Sequence, residues 1–290
     1  MAIIDGSGIL YRVQKSLVKD GIVDFDLMIV GFIGYIFPFL LSHPFTKIII
    51  CFDLKGTVSR YRKRMYPEYK AFRHGTETPE EKKAHKATLA FLMDQLPLLG
   101  FPVVCLSEVE ADDVGYFLAS RNAEGVLYSR DNDWKLNLFP GWKLFVPISN
   151  KIITYEDFNN EWGPSDPTTW FLYYKSLVGD TADGVKGVLG IGEKKAKQFI
   201  EETKAGIKSK HSDRITEYYD IVERNMMLLS PKWIHSHSET RDEVYEQEQD
   251  YVIPADPGQA FQSFCRRIGT YGSSLLLKTF EYEAIIKGVK

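Results

Sequence analysis

The chain has 290 residues, of which 44% are hydrophobic, and this length allows a sizeable core in one large domain or two closely packed ones. Its three cysteines, Cys51, Cys105 and Cys265, lie far apart and form no CxxC or Cys/His pattern, which argues against a disulfide framework or a zinc site and favours a reducing cytoplasm. The net charge of −3 does not by itself favour a nucleic-acid partner, but the basic residues are unevenly distributed.

Four short apolar runs, rich in β-branched and aromatic residues, predict strands that are buried on both faces. They cover residues 2–4, 47–52, 101–106 and 126–129. The first run follows Met1 directly, so we expect no signal peptide. Helical patterns occupy residues 24–41, 80–98 and 110–121. This alternation predicts the α/β fold class, with a mostly parallel central sheet flanked by helices.

Residues 27–41 form a stretch of fifteen residues without a charge. A membrane span needs about 18 or more apolar residues, and Pro38 interrupts this stretch. We therefore expect a buried core helix in a soluble protein that has no membrane partner.

Helical patterns dominate after residue 165, over residues 168–177, 193–203, 214–229 and 257–270, and the tail at 275–290 also has a helical pattern. We expect three regions: an α/β core over 1–165, a helical region over 166–270, and a C-terminal helix over 271–290 that packs back on the core. The polar, acidic segment 236–250 is predicted to be a surface excursion.

Carboxylates lie at the ends of predicted elements or in tight clusters. Asp5 and Asp53 follow directly on predicted strands, and sites in such sheets gather beyond the carboxyl ends of the strands. Each cluster alone is compatible with helix capping or turn formation, but so many anions at one sheet edge would repel one another without a cation. The full set is Asp5, Asp53, Glu110, Asp112, Asp113, Asp131, Asp133, Asp180 and Asp183.

Hard oxygen ligands without nearby His or Cys favour Mg²⁺, with Mn²⁺ able to substitute, over zinc. The carboxylates outnumber the ligands that one ion requires. This suggests two metal ions, the arrangement that clamps the attacking and leaving oxygens in phosphodiester hydrolysis. A calcium site is the weaker alternative because the sequence contains no EF-hand loop.

Two segments concentrate positive charge. Residues 55–74 contain seven basic residues and one acidic residue, and residues 186–210 contain seven lysines and three glutamates. In the first segment the basic residues are interleaved with aromatic ones, which suits a single strand whose phosphates need charge and whose bases stack. An ordinary charged surface is the alternative interpretation of this segment.

Five motifs occur in the order and spacing of the flap endonuclease/5′-exonuclease family, and the chain resembles that family, its bacteriophage members above all, from Ile3 to about Ala196. The motifs are Val109-Glu110-Ala111-Asp112-Asp113, Ser129-x-Asp131-x-Asp133, Gly179-Asp180-x-x-Asp183, the glycine-rich segment 187–196 and Pro67-Glu68-Tyr69-Lys70-x-x-Arg73. One residue departs from the pattern. Arg130 stands inside Ser-x-Asp-x-Asp, where a smaller residue is expected, and it either points outward or pairs with a carboxylate.

The resemblance implies that Asp5, Asp53, Glu110, Asp112 and Asp113 hold or support one metal ion, and that Asp131, Asp133, Asp180 and Asp183 hold the second. It also implies a helix–three-turn–helix module over about 180–203 that grips the duplex backbone, and a potassium ion bound by carbonyls of its loop. A packing corner between two helices is the alternative for this loop. The DNA contacts expected here are Gly187, Gly190, Gly192, Lys194, Lys195 and Lys197.

The resemblance further assigns residues 55–95 to a helical arch through which a 5′ single strand passes. Lys70 and Arg73 would stabilise the scissile phosphate, and a helical turn would place both on one face. Tyr69 would contact DNA, and the remaining basic residues would be solvated phosphate contacts: Arg60, Arg62, Lys63 and Arg64.

These implications describe a monomeric, metal-dependent, PIN-like 5′-nuclease that acts on flap, 5′-overhang, nicked or gapped DNA and works with replication proteins. Two alternatives stay open. A PIN-like endoribonuclease would share the sheet and part of the carboxylate set, and a branched-DNA binding protein that has lost catalysis would share the basic surfaces.

Overall fold

The computed structural model describes residues 1–19, 22–54, 60–71, 77–163, 167–237 and 240–289. Two parts of the predicted arch, residues 55–59 and 72–76, therefore lie outside the described residues. The prediction for Arg73 falls among them.

Within the described residues, a six-stranded sheet forms the centre of the fold, in the order β3-β2-β1-β4-β5-β6. Its neighbouring strands are parallel except for the antiparallel pair β5–β6. The predicted fold class, a mostly parallel sheet of the PIN-like type flanked by helices, is confirmed. The strands are β1 (Ala2–Asp5), β2 (Ile48–Asp53), β3 (Val103–Leu106), β4 (Gly125–Tyr128), β5 (Trp142–Val146) and β6 (Lys151–Thr154), with β7 (Gly179–Asp180) and β8 (Val185–Lys186) paired separately.

Helices surround the sheet and form the second half of the chain. Those that precede residue 165 are α1 (Gly6–Lys19), α2 (Phe25–Ser42), α3 (Arg60–Met65), α4 (Pro79–Gln95), α5 (Ala111–Ser120) and α6 (Tyr155–Trp162), with 3-10 turns at Pro97–Leu99 and Asn132–Asn137. Those that follow are α7 (Pro167–Val178), α8 (Glu193–Lys204), α9 (Ser212–Glu217), α10 (Tyr219–Leu229), α11 (Pro231–His237), α12 (Arg241–Gln249), α13 (Pro257–Arg267), α14 (Gly272–Leu276) and α15 (Thr279–Gly288). The single helix predicted over 214–229 is instead two helices that meet at Tyr218.

The apolar helix α2 is a core element, as predicted. Asp24 caps its first turn by accepting a hydrogen bond from the Leu27 amide. Phe32 stacks on Phe52 of β2, and Phe37 packs against Tyr282 of α15. Among the described residues, α2 is the one helix whose length and composition would suit a membrane span, and its apolar side chains are largely used in packing instead.

Two apolar cores lie on the sheet. One contains α5, α7 and α10 together with Trp142 and Leu144 of β5. The other contains α1, α2, α4, α13 and α15. Side chains alternate between the two cores along a strand, so Ile3 belongs to the first and Ile4 to the second. The parallel strands are thus buried on both faces, and their carboxyl ends remain the open edge.

The acidic segment 236–250, predicted to be a surface excursion, has most of its described side chains exposed, but it is helical and packs on the sheet. Most of its described residues belong to α12, which packs along β3 at the edge of the sheet. The side-chain amide of Gln247 accepts a hydrogen bond from the Cys105 amide at 2.8 Å and donates to the Cys105 carbonyl at 3.4 Å. Because Gln247 takes up backbone groups that a further strand would otherwise pair, α12 closes the edge of the sheet.

Candidate active site

Asp5 and Asp53 are the last residues of β1 and β2, which are neighbouring parallel strands. Their carboxylates therefore lie at one edge of the sheet. Asp5 accepts hydrogen bonds from the Gly8 amide at 2.7 Å and the Ser129 hydroxyl at 2.6 Å. Asp53 accepts one from the Ala111 amide at 2.8 Å, which ties β2 to the start of α5.

Ser129 links this edge to the Ser-x-Asp-x-Asp motif. Its hydroxyl accepts a hydrogen bond from the Asp131 amide at 3.0 Å, and Asp131 in turn accepts one from the Asp133 amide at 3.0 Å. The turn after β4 therefore carries Asp131 and Asp133, and the Ser129 hydroxyl connects the backbone of this turn to Asp5. Ser129 was quoted in the motif but not predicted to position any ligand.

Asp133, Asp180 and Asp183 form the tightest group of possible metal ligands among the described residues, with one carboxylate oxygen of each within 4.8 Å of the others. Asp180 accepts hydrogen bonds from the Ala182 amide at 3.0 Å and the Asp183 amide at 3.2 Å, so the turn between β7 and β8 aims both carboxylates the same way. All donors in the group are carboxylate oxygens, the set that suits Mg²⁺ or Mn²⁺.

The electrostatics of the cluster favour a bound cation. Burial, with added repulsion from Asp53 and Asp131, raises the pKa of Asp5 to about 7. Burial and the neighbouring carboxylate of Asp113 raise the pKa of Asp112 well above its usual value. Buried acids of like charge gain either a proton or a cation, and a divalent ion is the better partner for several of them at once.

Glu110, Asp112 and Asp113 form the first turn of α5, where Asp113 completes a capping box with Glu110. The prediction that Arg62 is a solvated phosphate contact is wrong. Its side chain is 2% exposed and makes a bidentate pair with Asp113, at 2.5 and 2.7 Å. Its Nε also donates to the Leu228 carbonyl at 2.9 Å. The charge of Asp113 is thereby balanced by an arginine of α3.

Tyr69 is likewise buried, at 2% exposure, which leaves its side chain no surface for the predicted contact with DNA. Its hydroxyl lies 2.9 Å from Glu110 Oε2 and 3.0 Å from Asp183 Oδ2, and donates to this pair of carboxylates. The aromatic ring is too enclosed to stack on a base. Its role in the structure is to join the two halves of the carboxylate cluster.

Lys70 lies in a turn, and its side chain contacts Glu110 and Asp183, the same two carboxylates as Tyr69. Its φ of +55° takes it out of any helix, so the expected helical turn is absent at this residue. The ammonium lies 2.6 Å from Glu110 Oε1 and 3.6 Å from Asp183 Oδ2. Burial alone would raise the pKa of Glu110, but the charges of Lys70 and Arg62 outweigh burial and lower it to about 2. Glu110 is therefore ionised and Lys70 is the cation beside it.

The cluster also contains a residue that the sequence interpretation missed. Lys175 of α7 is 9% exposed, forms a direct ion pair with Asp133 and lies 3.3 Å from Asp180 Oδ2. Burial would lower the pKa of Lys175, but Asp133 and Asp180 raise it, so the ammonium stays charged. The available signal was a lone lysine within the otherwise uncharged residues 167–178.

We expect Lys175→Met to make the fold more dependent on divalent metal. Without the ammonium, Asp133 and Asp180 repel each other until a cation is added. Mg²⁺ should therefore raise the unfolding midpoint of the variant by a few degrees more than that of the unsubstituted protein, about 1–2 kcal/mol. Calorimetry with and without Mg²⁺ measures this, and Lys208→Met, whose ammonium is exposed, is the matched control. Equal shifts in both variants would show that Lys175 does not share the metal position.

The other three basic residues of α3 are exposed to solvent. Arg60, Lys63 and Arg64 are exposed, and Arg60 and Arg64 lie 3.9 and 2.9 Å from Glu108. These positions leave their charges available to a phosphate backbone, because exposed ion pairs of this kind are weak.

The loop before α8 contains one closely packed glycine, Gly187, and two that face open space, Gly190 and Gly192. A side chain at Gly187 would lie 2.2 Å from the Val178 carbonyl, so this glycine allows close packing of the chain on α7. Gly190 has a φ of +82°, and Gly190 and Gly192 both face open space. Lys194, Lys195 and Lys197 of α8 are exposed beside them. The open glycines and the lysines together form a surface that a phosphate backbone can approach closely.

We expect Gly190→Val to weaken the binding of flap and duplex DNA several-fold. A β-branched side chain there would both crowd an approaching phosphate and strain a left-handed residue by about 1–2 kcal/mol. Gly206→Val is the matched control, because Gly206 also has a positive φ, +69°, and open surroundings but lies beyond the other end of α8. If both variants lose stability alike and neither loses affinity, the loop is a packing corner.

Comparison with known proteins agrees with this geometry. Residues 1–163 match the family described as 5′-3′ exonuclease, N-terminal resolvase-like domain. The chain is 29% identical over 178 residues to a 5′-3′ exonuclease of Halalkalibacterium halodurans, a match that covers 59% of this chain and 56% of that protein. It is 26% identical over 213 residues to the flap endonuclease of Escherichia phage T5, covering 70% of this chain and 69% of the relative.

Solved structures show the likeness in three dimensions. The T5 5′-exonuclease with bound divalent metal ions superposes with a TM-score of 0.67 at 22% identity, over 86% of this chain and 97% of that one. At this identity the superposition shows the fold alone. The chain spans about half the length of the Halalkalibacterium halodurans 5′-3′ exonuclease, 56%.

Proposed function

The chain belongs to the family of 5′-3′ exonucleases that share the N-terminal resolvase-like domain, and from this premise we propose that it is a metal-dependent 5′-nuclease of branched or free-ended DNA. The reaction is hydrolysis of a phosphodiester bond, by flap endonuclease and 5′-3′ exonuclease cleavage. The observation that carries the proposal is the convergence of Asp133, Asp180 and Asp183 within 4.8 Å, beside the Lys70 ammonium.

We assign two metal positions to the cluster. Asp131, Asp133, Asp180 and Asp183 would hold one ion, and Asp5, Asp53, Glu110 and Asp112 the other, with Asp113 held out of coordination by Arg62. When bound, divalent ions supply Lewis acidity to the water nucleophile and to the leaving oxygen. Mg²⁺ is the ion we propose, and Mn²⁺ has the same ligand preference.

The chain's own residues complete the site. Lys70 places a charge next to Glu110 and Asp183, where negative charge builds on a phosphate in the transition state. Tyr69 holds the same two carboxylates in register. Ser129 orients Asp5 and fixes the turn that carries Asp131. These contacts orient ligands before substrate arrives, so that little reorganisation accompanies the reaction.

DNA is the proposed partner, as flap, 5′-overhang, nicked or gapped duplex, and the chain would act as a monomer alongside replication proteins. The proposed division of labour follows the three regions: a nuclease core over 1–165, a helical DNA-binding region over 166–270 and a C-terminal helix over 271–290. Exposed Arg60, Lys63 and Arg64 would contact the strand that enters the arch, and α8 with its loop would contact the duplex.

The carbonyl oxygens of the loop before α8, which a potassium ion would need as ligands, already accept hydrogen bonds. The Val188 carbonyl accepts the Ile191 amide at 3.0 Å, the Leu189 carbonyl accepts Arg214 Nε at 3.1 Å, and the Gly190 carbonyl accepts Lys195 Nζ at 2.8 Å. A potassium ion bound to these oxygens would share or displace the two side-chain donors.

The three free cysteines are buried, and the relatives carry the names of DNA-processing nucleases. Both observations support an intracellular location. We propose the cytoplasm, that of a host cell if the chain is encoded by a phage.

Cleavage of two substrates by the unsubstituted protein tests the proposal. A 5′-flap DNA and a single-stranded RNA of the same sequence are incubated with Mg²⁺, with Mn²⁺ and with chelator. We expect cutting of the flap near its junction in either metal and none in chelator. Faster cutting of the RNA would favour the endoribonuclease alternative, and metal-independent binding without cutting would favour a DNA-binding protein.

A further inference from the structure

Two lysines lie where α6, α7 and α8 meet, next to the turn that carries Asp133. Lys135 stands two residues after Asp133, and its ammonium lies 5.8 Å from the centre of the Phe171 ring of α7. The ammonium of Lys197, in α8, lies 5.5 Å from the centre of the Trp162 ring of α6. The Trp162 and Phe171 rings contact each other, with their centres 5.3 Å apart. Both ammonium groups therefore lie against one pair of aromatic rings.

The rings of this pair are buried, and the lysines are the part of the surface that a ligand can reach. Trp162 and Phe171 are 4% and 6% exposed, so neither ring is free to stack on a base. Lys197 is exposed and Lys135 is partly exposed. Lys151, the first residue of β6, is exposed as well. A surface that offers charge without open aromatic faces suits the phosphates of a duplex better than the unstacked bases of a single strand.

Positive charge is in excess around Lys135. Burial lowers the pKa of Lys135, and Lys151 and Lys197 lower it further, while Glu161 raises it. Glu161 is itself the partner of Lys197, with Glu161 Oε1 3.6 Å from Lys197 Nζ. Among the ion pairs of the described residues, none involves Lys135 or Lys151. Three cations thus share one carboxylate, and a partly buried cation with cationic neighbours is stabilised by an added anion.

We propose that Lys135, Lys151 and Lys197, here called the lysine surface, bind the phosphate backbone of the duplex part of the DNA and extend the contact of α8 towards the metal ligands. Lys194 lies one turn before Lys197 on the same face of α8, so the lysine surface continues from the glycine loop. Its other end, Lys135, is two residues from Asp133. A phosphate bound there sets the distance between the gripped duplex and the carboxylate cluster. The proposal rests on the proposed nuclease function and deepens it.

The test combines Lys135→Met with neutral linkages in the DNA. A blunt duplex, a 5′ flap and a single strand are titrated in chelator, at two salt concentrations, against the unsubstituted protein and the variant. We expect Lys135→Met to weaken binding of the duplex and the flap about 3- to 10-fold and to lower the slope of log Kd against log salt by about one. Binding of the single strand should not change. In duplexes that carry one methylphosphonate at successive positions, one linkage should weaken binding by the unsubstituted protein and leave binding by the variant unchanged.

Two further variants separate the effect of charge from an effect on the fold. Glu161→Gln removes the carboxylate that competes with phosphate for Lys197 and should tighten duplex binding about 2-fold. Arg267→Met removes an exposed arginine of α13, which packs in the other apolar core, and should bind as the unsubstituted protein does. An unchanged Kd and salt slope in Lys135→Met, an equal loss for the single strand, or weaker duplex binding in Glu161→Gln would overturn the proposal. Cleavage of the flap by the unsubstituted protein is scored separately, so failure of the lysine surface and failure of the nuclease function give different results.

Discussion

Replacing Asp183 with Asn should abolish most of the cleavage and leave most of the DNA binding. Asp183 is 5% exposed, belongs to the group of three aspartates and accepts from Tyr69. Asn keeps the shape and one acceptor oxygen, but it removes the charge that a divalent ion requires. Loss of that ion should slow single-turnover cleavage by roughly 10³-fold, equivalent to several kcal/mol of transition-state stabilisation.

Binding should change little in the same variant, because duplex affinity comes from many phosphate contacts spread over other surfaces. The measurement is a single-turnover rate across a range of Mg²⁺ concentrations, with Kd determined in chelator. Asp213→Asn, which alters an exposed carboxylate of α9, is the matched control and should behave as the unsubstituted protein does. Near-normal turnover of Asp183→Asn at low Mg²⁺ would show that the group of three does not hold a catalytic ion.

The strand ends could be predicted from the sequence because local pattern determines them. Short apolar runs that end in Asp5 and Asp53 specify buried parallel strands, and a parallel sheet then brings both carboxylates to one edge. The same reasoning located the first turn of α5, where acidic residues precede an apolar run. In each case the deciding information lies within a few residues of the site.

Arg62, Tyr69 and Lys175 could not be placed in this way. A run of basic and aromatic residues does not show which side chain turns inward, because the partner that decides the matter is distant in sequence. Arg62 is buried by Asp113 and by the carbonyl of Leu228, 51 and 166 residues away. Lys175 is fixed by Asp133, 42 residues before it. A buried cation is stable only beside its anion, and only the folded chain supplies that neighbour.

The acidic segment 236–250 likewise owes its placement to contacts with residues that are distant in sequence. Its polar composition predicted a surface excursion, yet Val244 and Glu248 are buried and Gln247 bonds to the backbone of β3. Glu248 is held by Lys47 at 2.7 Å. Polar residues become structural here because an exposed strand edge offers them unpaired backbone groups, and a sequence does not show which strand of a sheet is the edge.

Lys70→Met should separate the chemical step from binding. The methionine keeps the stem of the side chain, and the left-handed backbone at residue 70 is no more strained than before. What disappears is the ammonium 2.6 Å from Glu110 and 3.6 Å from Asp183. Its value is greatest when negative charge builds on the scissile phosphate, so the saturated cleavage rate should fall by about 10²-fold or more while Kd changes only a few-fold.

Arg64→Met is the matched comparison. Arg62 also lies in α3, but its side chain is buried against Asp113, so replacing it would disturb the carboxylate cluster as well as remove a charge. Arg64 is exposed and lies beside Glu108, outside the carboxylate cluster. Its loss should weaken binding and make the salt dependence of Kd shallower by about one, with the saturated rate unchanged. Both variants are measured by single-turnover kinetics and by Kd at two salt concentrations. If Lys70→Met instead loses affinity and keeps its saturated rate, Lys70 holds the substrate in the ground state, and the stabilising charge in the transition state must come from the metal ions or from Arg73.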